Sequence, residues 1–451
     1  MKSKIVYQCT NCGATFPRWV GKCPNCSEWN TLEEVFVSEE EKKKKSRGET
    51  PTSSLFPINA IQVQEYFSLP TKIKEVDRVL GGGLLPSSII LFSGEPGIGK
   101  STLMLQILDS IDTESIYVSG EESLAQIKLR AERIGINSNK IFVTNNSQLE
   151  TIITLIEQNS ANIIVIDSIQ AVYSTEIPSP PGSVFQVRNA TNQLMEISKK
   201  KDKIIILVGH INKEGNIAGP KVLEHIVDAV LMLEGEKNSN IRILRALKNR
   251  FGSTLEIGLF EMCGNGLIEL TDPNKIFISQ SSIKSSGTTF SAIVEGARCL
   301  IIEIQSLVSP SSYGVPQRNV NGYDFKRLQM ILAVLDKKLG LNIRQNDIFV
   351  NITGGMFIYD TGLDLAIASS LVSSLNDFVI PYDIGIIGEI GLTGEVRAVS
   401  SIEKRVNEME KLGFKRIILP RRCESNFSSK KKKHLIFVEK ILEVLDILFQ
   451  L

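Results

Sequence analysis

The sequence has no apolar run long enough to cross a membrane, for which roughly 20 residues are needed. Its longest apolar stretches, such as residues 204–208, have the length of a strand. The opening residues MKSKIVYQCTNC have no long apolar stretch after the lysines and are not typical of a signal peptide, so we expect a cytoplasmic protein without membrane contact. The net charge is +1, which excludes a polycation that binds nucleic acid through its overall field.

Cysteines are few, and their placement argues against a disulfide framework. Three of the seven are scattered along the chain. The others form two C-x2-C pairs with ten residues between the pairs, namely Cys9, Cys12, Cys23 and Cys26. Such pairs present four thiolates to one tetrahedral Zn²⁺ with no open position, which predicts a structural zinc ribbon over residues 1–37. Free or redox-active thiols are the alternative.

Tryptophan is also scarce. The chain has two, Trp19 and Trp29, and both flank the second cysteine pair. A segment of this size has little apolar surface from which to build a core, so we expect both indoles to pack within the ribbon. Contact with a nucleic-acid base or a protein partner is the alternative.

The length of 451 residues predicts more than one domain. Residues 38–57 are charged and polar and are predicted to be a flexible linker, because they cannot bury enough apolar surface to offset the entropy of ordering. Residues 58–275 and 283–451 are predicted to form two α/β domains.

In the first of these domains, short β-branched runs alternate with helical patterns, which predicts a mainly parallel sheet. The predicted strands are residues 89–93, 115–119, 163–166 and 204–209. The predicted helices include residues 101–110, 123–134 and 183–200. Three later strands, at residues 229–233, 241–247 and 255–261, are expected to form an antiparallel extension.

Residues 94–101 read GEPGIGKS and match the phosphate-loop pattern G-x-x-x-x-G-K-[ST]. The pattern lies between an apolar strand and a helical run, as this loop requires. Its backbone amides, the helix N-terminus and Lys100 are predicted to bind the phosphates of ATP, and the Ser101 hydroxyl to bind Mg²⁺. The predicted nucleotide contacts are Gly94, Glu95, Pro96, Gly97, Ile98, Gly99, Lys100, Ser101 and Thr102.

Two further strands end in acidic residues. Residues 162–168 read NIIVIDS, and Asp167 at the strand end is predicted to hold Mg²⁺, with helix capping as the alternative. Residues 115–122 read SIYVSGEE. Glu121 is predicted to activate or orient the attacking water, with Glu122 as the second choice. The alternative is that one of these acids caps the next helix.

The strand at residues 204–210 ends in His210. At the carboxyl edge of the sheet, this histidine is predicted to sense the γ-phosphate and to transmit its presence to the next loop. A local hydrogen bond at the strand end is the alternative.

These motifs, with the string KNRFG at residues 248–252, resemble the RadA/Sms family of bacterial DNA repair ATPases over essentially the whole chain. The resemblance implies a RecA-like P-loop core, a homo-hexameric ring, binding of single-stranded and branched DNA, ATP-driven branch migration and a functional link to the RecA recombinase. Lys248 and Arg250 match the family signature, and such cations can act on a neighbour's nucleotide or on DNA. An exposed basic turn is the alternative.

The glycine-rich loop after His210 carries Lys213 and Lys221. In RecA-like rings the corresponding loop faces the central channel, which implies that both lysines contact the DNA backbone. A surface loop without this role is the alternative. Gln186 and Arg188 are secondary candidates for DNA contact.

Segments at residues 346–356, 364–374 and 387–397 resemble the Lon protease domain. The alignment puts Gly362 where Lon has its nucleophilic serine, and Glu403 or the adjacent Lys404 where it has its lysine. The resemblance implies a Lon-protease-like C-terminal domain that is proteolytically inactive and serves ring assembly and DNA contact. An ATP-dependent protease and a RecA-like clock or signalling ATPase are the rival functions.

Overall fold

The computed structural model of the protein describes residues 3–9, 15–24, 29, 31–38, 68–210, 222–235, 239–270, 285–311, 314, 316–353, 357–429 and 431–449. Three predicted segments lie outside these residues: the loop with Lys213 and Lys221, residues 39–57 of the linker, and the domain boundary at 275–283. Contacts divide the chain into two compact units. The first comprises Met1–Leu233, Leu247–Gly252 and Gly264–Gly266, and the second comprises Glu234–Ala246, Ser253–Cys263 and Leu267–Leu451.

The N-terminal segment forms a small antiparallel sheet with strand order β2-β1-β3. Its strands are β1 (Ser3–Cys9), β2 (Thr15–Phe16) and β3 (Leu32–Ser38). Buried Cys9, Cys23 and Leu32 form its interior, and Tyr7, Phe16 and Val20 pack against them. Two of the predicted zinc ligands therefore belong to the core of this sheet.

The first unit also contains six parallel strands in the order β9-β4-β8-β7-β5-β6. They are β4 (Ile89–Gly94), β5 (Ser115–Ser119), β6 (Ile141–Thr144), β7 (Ile163–Asp167), β8 (Ile204–His210) and β9 (Ala229–Glu234). The central strands are almost wholly buried, as continuous apolar runs in a parallel sheet with covered faces require.

The first helix of this unit precedes β4, and each of the others follows one of these strands. They are α1 (Lys74–Leu80), α2 (Lys100–Ile111), α3 (Leu124–Arg133), α4 (Leu149–Gln158), α5 (Val184–Lys201) and α6 (Val222–Ile226). Ser123 begins α3 with a reciprocal capping box, and the Ser183 hydroxyl caps α5. Among the described residues, none of the helices is both long and apolar enough to traverse a bilayer.

The sheet register brings the polar strand ends together. Gly94 at the end of β4 pairs with His210 at the end of β8. Asp167 at the end of β7 pairs with Ser119 at the end of β5. Since the carboxyl ends of parallel strands share one edge, the motifs predicted from separate segments converge there.

The expectation of an antiparallel extension is confirmed for its last two strands, and its first strand, β9, pairs parallel with β4. Strands β10 (Ile241–Asn249) and β11 (Ile257–Cys263) pair antiparallel, and β12 (Gly266–Glu269) follows. Strand β9 is parallel to β4 because the chain crosses over through α6 before entering it.

The second unit contains a mixed sheet with strand order β15-β16-β14-β13-β17-β20-β21, and β18 and β19 form a separate pair. Its strands are β13 (Thr288–Glu295), β14 (Arg298–Pro310), β15 (Arg318–Asn321), β16 (Asn346–Ile352), β17 (Ile384–Ile386), β18 (Glu389–Ile390), β19 (Val396–Arg397), β20 (Arg416–Pro420) and β21 (Leu435–Val438). Its helices are α7 (Phe325–Leu339), α8 (Asp364–Leu375), α9 (Ile402–Lys411) and α10 (Ile441–Phe449).

The core of the second unit includes the hairpin β10–β11. Ile243 and Leu259 of this hairpin belong to the same buried cluster as Ile302 in β14 and Leu335 in α7. The hairpin lies within the domain predicted at residues 58–275, but its apolar face packs with residues beyond that range.

Candidate active site

The phosphate loop has the backbone geometry of an anion-binding turn. Gly97 and Gly99 have φ values of 79° and 113°, which favour glycine. Lys100 is only 4% exposed, and its Nζ donates to the carbonyl oxygens of Gly94 at 2.8 Å and Glu95 at 2.9 Å. Burial lowers the pKa of Lys100, and the carboxylates of Asp167 and Glu121 act in the opposite direction.

The two predicted Mg²⁺ ligands share one tyrosine. The Tyr117 hydroxyl donates to Oδ2 of Asp167 and is also hydrogen-bonded to the Ser101 side chain. Tyr117 is 1% exposed, and burial beside the Asp167 carboxylate holds its pKa well above the ordinary value, so it stays a neutral donor. Tyr117 was not among the predicted site residues, and the one signal for it is that it is the only aromatic residue in the strand SIYVS.

Of the two adjacent glutamates predicted as the base, Glu121 is the one that contacts the polar strand ends. Its Oε1 accepts a hydrogen bond from the Ser168 hydroxyl and lies 3.3 Å from Nε2 of His210. The other ring nitrogen of His210, Nδ1, lies 3.2 Å from Nζ of Lys100. With Nδ1 accepting from the ammonium, Nε2 carries the proton and donates to Glu121. His210 therefore connects the phosphate-loop lysine to the candidate base.

Glu122 points to a different partner. Its Oε1 forms an ion pair with Nη2 of Arg130 in α3. The suggestion that an acid caps α3 is wrong, because Ser123 occupies the N-cap position. The structure thus gives the two adjacent carboxylates different partners, His210 and Ser168 for Glu121 and Arg130 for Glu122.

The KNRFG cations have distinct surroundings within the first unit. Nζ of Lys248 donates to the carbonyl oxygens of Glu224 at 2.6 Å and Val227 at 2.7 Å. Arg250 is exposed, and its Nη1 lies 3.2 Å from the buried Asp228 carboxylate. Gly252 lies against α1, where a Cβ would be 3.4 Å from the Leu80 carbonyl oxygen.

Gln186 is buried, and this argues against its secondary role in DNA contact. Its amide nitrogen donates to the carbonyl oxygens of Ser174, Ile177 and Ser179, and its oxygen accepts from the Ser174 amide. The side chain therefore holds the loop between β7 and α5. Arg188, the other secondary candidate, is exposed.

The thiols of Cys9 and Cys23 are buried in one cluster, and Sγ of Cys9 also lies 3.1 Å from the Thr31 hydroxyl. Cys12 and Cys26 lie outside the described residues. Two soft ligands close together in a small core fit one structural Zn²⁺. The expectation that the tryptophans pack the ribbon is wrong, since Trp19 is 53% and Trp29 is 66% exposed.

Tyr117→Phe is expected to raise the Mg²⁺ concentration needed for half-maximal ATP binding about tenfold, because a hydrogen bond to a charged group contributes roughly 1.5–3 kcal/mol. The ring keeps its packing, so the unfolding temperature should hardly change. Titrating Mg²⁺ against a fluorescent ATP analogue measures the shift directly. Tyr382→Phe, in the second unit, is the matched control. An unchanged Mg²⁺ dependence would show that Tyr117 does not position the predicted Mg²⁺ ligands.

Three family models match separate parts of the chain. Residues 7–34 match a rubredoxin metal binding domain, residues 69–148 match the KaiC ATPase family, and residues 311–423 match subunit ChlI of Mg-chelatase. The first range covers most of the predicted ribbon, the second contains the phosphate loop and Glu122, and the third covers the middle of the second unit.

Relatives match over the full length. A protein from Bacillus subtilis named DNA repair protein RadA is 43% identical over 98% of this chain and 98% of its own. A protein of the same name from Halalkalibacterium halodurans is 43% identical over 99% of both chains. The chain belongs to the RadA family. Among solved structures, a crystal structure of the RadB recombinase matches 45% of this chain and 99% of its own chain. The sequence identity is 21% and the TM-score is 0.38.

Membership of the RadA family and the ATPase match identify a DNA repair ATPase. The predicted fold class is confirmed: an α/β protein with a RecA-like P-loop core, an N-terminal metal-binding ribbon and a ChlI- or Lon-like C-terminal domain. The roles of individual residues remain predictions.

In the Lon-like domain of this RadA family member, Gly362, which is the predicted equivalent of the Lon serine, lies against neighbouring side chains. A Cβ on Gly362 would lie 2.9 Å from Nη1 of Arg405 and 2.9 Å from Oδ1 of Asp360. Arg405 is 1% exposed and pairs with Asp360 at 2.7 Å. Glu403 and Lys404 are both exposed, so the side chain that faces Gly362 is neither of the two predicted by alignment.

Gly362→Ser is expected to lower stability by ~1–3 kcal/mol and to create no protease, because the added atoms overpack the site and a guanidinium cannot deprotonate serine. Thermal unfolding and an ATP-supplemented casein assay measure the two effects. Gly264→Ser is the matched control, since a Cβ there would meet no atom of the described residues within 4 Å. Casein cleavage by Gly362→Ser would contradict the inactive-site assignment.

Proposed function

We propose that this protein is a DNA-dependent, ring-forming ATPase that binds single-stranded and branched DNA and promotes branch migration of recombination intermediates. The observation that carries the proposal is the convergence of Lys100, Asp167, Glu121 and His210 at one sheet edge in a chain of the RadA family. A homo-hexamer with a functional link to the RecA recombinase belongs to the same proposal.

The ribbon and the loop fit the metal ions that this function requires. Cys9 and Cys23, with Cys12 and Cys26, would hold Zn²⁺ as a structural ion. Ser101 and Asp167 offer a hydroxyl and a carboxylate oxygen, which are ligands that Mg²⁺ prefers, and Tyr117 holds both. Mg²⁺ in that place supplies charge neutralisation at the phosphates of ATP.

The chain's own groups then have distinct tasks. Lys100 exchanges the carbonyl oxygens of Gly94 and Glu95 for phosphate oxygens, which are stronger partners for an ammonium. Glu121 orients a water and accepts its proton, and the Ser168 hydroxyl fixes that carboxylate. His210, which contacts both Lys100 and Glu121, senses whether a γ-phosphate is bound.

Contacts outside the pocket couple hydrolysis to DNA. Arg250 is exposed and can reach a neighbouring subunit's nucleotide, whereas Lys248 supports the turn from which it projects. Lys213 and Lys221 would contact DNA phosphates from the channel loop. In the second unit, the Arg405–Asp360 ion pair lies where a Lon protease would have its catalytic serine. We therefore propose that this domain has no protease activity and serves ring assembly and DNA contact.

The test is the ATPase rate of the full-length, zinc-loaded protein with no DNA, single-stranded DNA, forked DNA and duplex. We expect single-stranded and forked DNA to raise the rate and duplex to raise it less. A synthetic four-way junction measures branch migration in the same samples. A rate that responds to none of these DNAs, with no DNA binding in an anisotropy titration, would refute the proposal.

A further inference from the structure

The ribbon has an aromatic surface outside its core. Trp19 and Trp29 are more than half exposed, and the described interior of the ribbon is built without them. A tryptophan contributes a large apolar area when it is buried, so two indoles left in water do little for folding. Exposed aromatic surface of this kind marks a binding site.

The two indoles form one surface. A methyl group built on Gly21 would lie 3.7 Å from Cη2 of Trp19 and 3.8 Å from Cζ3 of Trp29, so both rings approach the same point. An antiparallel bridge joins Lys22 and Trp29, and the Lys22 ammonium lies 5.6 Å from the Trp29 ring centroid. This cation–π contact and the bridge hold the ring before any ligand arrives.

Positive charge accompanies the rings. Arg18 and Lys22 are both exposed, one next to Trp19 in sequence and the other over Trp29. Residues 10–27 contain these two cations and no acidic residue, and the first acid after them is Glu28. Aromatic rings that alternate with exposed cations suit a ligand with flat bases and a phosphate backbone.

We propose that Trp19 and Trp29 form a platform on which bases of single-stranded DNA stack, while Arg18 and Lys22 contact the adjoining phosphates. This inference rests on the proposed function, because it names a contact for the DNA that the ATPase acts on. Stacking tolerates any sequence, since every base has a π face. Bases inside a duplex are already stacked on each other, so the platform selects single strands and open junctions.

The chain has two tryptophans, so its intrinsic tryptophan emission reports on this surface alone. Oligo(dT) is expected to quench the emission of the full-length, zinc-loaded protein, and a duplex with the same phosphate concentration is not. Trp19→Ala and Trp29→Ala should each weaken oligo(dT) binding about tenfold in an anisotropy titration, as for one lost base stack. Trp19→Phe and Trp29→Phe, which keep a flat ring, should retain most of the affinity.

The controls separate this inference from the proposed function. Zinc content and the ATPase rate without DNA should be unchanged in every variant, and Tyr382→Ala removes an exposed aromatic residue elsewhere. Unchanged emission, with full oligo(dT) binding by both alanine variants, would overturn the platform and leave the DNA-dependent ATPase intact. Absence of any DNA binding by the unmodified protein would refute both. Quenching by RecA recombinase but not by oligo(dT) would instead make this a protein-docking surface.

Discussion

Lys100→Ala is expected to reduce ATP hydrolysis by roughly 10²–10³-fold or more, which is the effect of losing one preorganised charge at a transition state. The side chain is buried inside the phosphate loop, where its ammonium is held by two loop carbonyl oxygens beside His210. Alanine leaves the loop backbone in place but supplies no charge for the β- and γ-phosphates. Single-turnover hydrolysis with saturating ATP measures the loss.

A matched lysine shows whether this loss is specific. Lys128 lies on the surface of α3 in an exposed pair with Glu132, so Lys128→Ala should hydrolyse ATP at the normal rate. Circular dichroism should show that Lys100→Ala retains the fold, because burial already lowers the pKa of this lysine and removing it relieves a desolvated charge. Normal turnover by Lys100→Ala would refute the phosphate-loop assignment and the ATPase mechanism with it.

Glu121→Gln is expected to bind ATP normally and to lower the hydrolysis rate about 10²–10⁴-fold, as removal of a general base does. Glutamine keeps the shape and the contacts with Ser168 and His210, but it accepts no proton. The rate constant for hydrolysis and the affinity for ATP are therefore measured separately, with rapid mixing and a fluorescent analogue.

Glu122→Gln is the control that the chain itself offers. Its carboxylate is paired with Arg130 in α3, so its loss should weaken that contact by a small amount and leave hydrolysis nearly normal. If Glu122→Gln stops hydrolysis and Glu121→Gln does not, the assignment of the base is wrong. Equal losses in both variants would indicate that α3 positions the whole segment.

Much of the first unit could be predicted from local sequence. The strands predicted at residues 89–93 and 204–209 are found at Ile89–Gly94 and Ile204–His210. Short β-branched apolar runs that end at a glycine are typical of buried strands. The helix after the phosphate loop is found at Lys100–Ile111. These elements depend on residues close together in the chain, so a pattern is enough to locate them.

Three features of the structure depended on contacts between residues that are far apart in the sequence. Tyr117 joins Ser101 to Asp167 although 50 residues separate the hydroxyl from its carboxylate partner. Arg405 lies beside Gly362, whereas the alignment with Lon placed Glu403 or Lys404 there. The hairpin β10–β11 lies before the predicted domain boundary and is buried with the strands and helices after it. Spacing along the chain carries no information about such pairs.

The sequence alone determined which chemistry is present: four cysteines in two tight pairs, one phosphate loop, and acids at the ends of apolar strands. Each of these is encoded within one short segment of the chain, so it can be recognised before the chain is folded. Tertiary structure alone placed Glu121 against His210 and Glu122 against Arg130, and left both tryptophans facing water instead of a core. The direction of a side chain depends on what packs around it, and those neighbours come from distant parts of the chain.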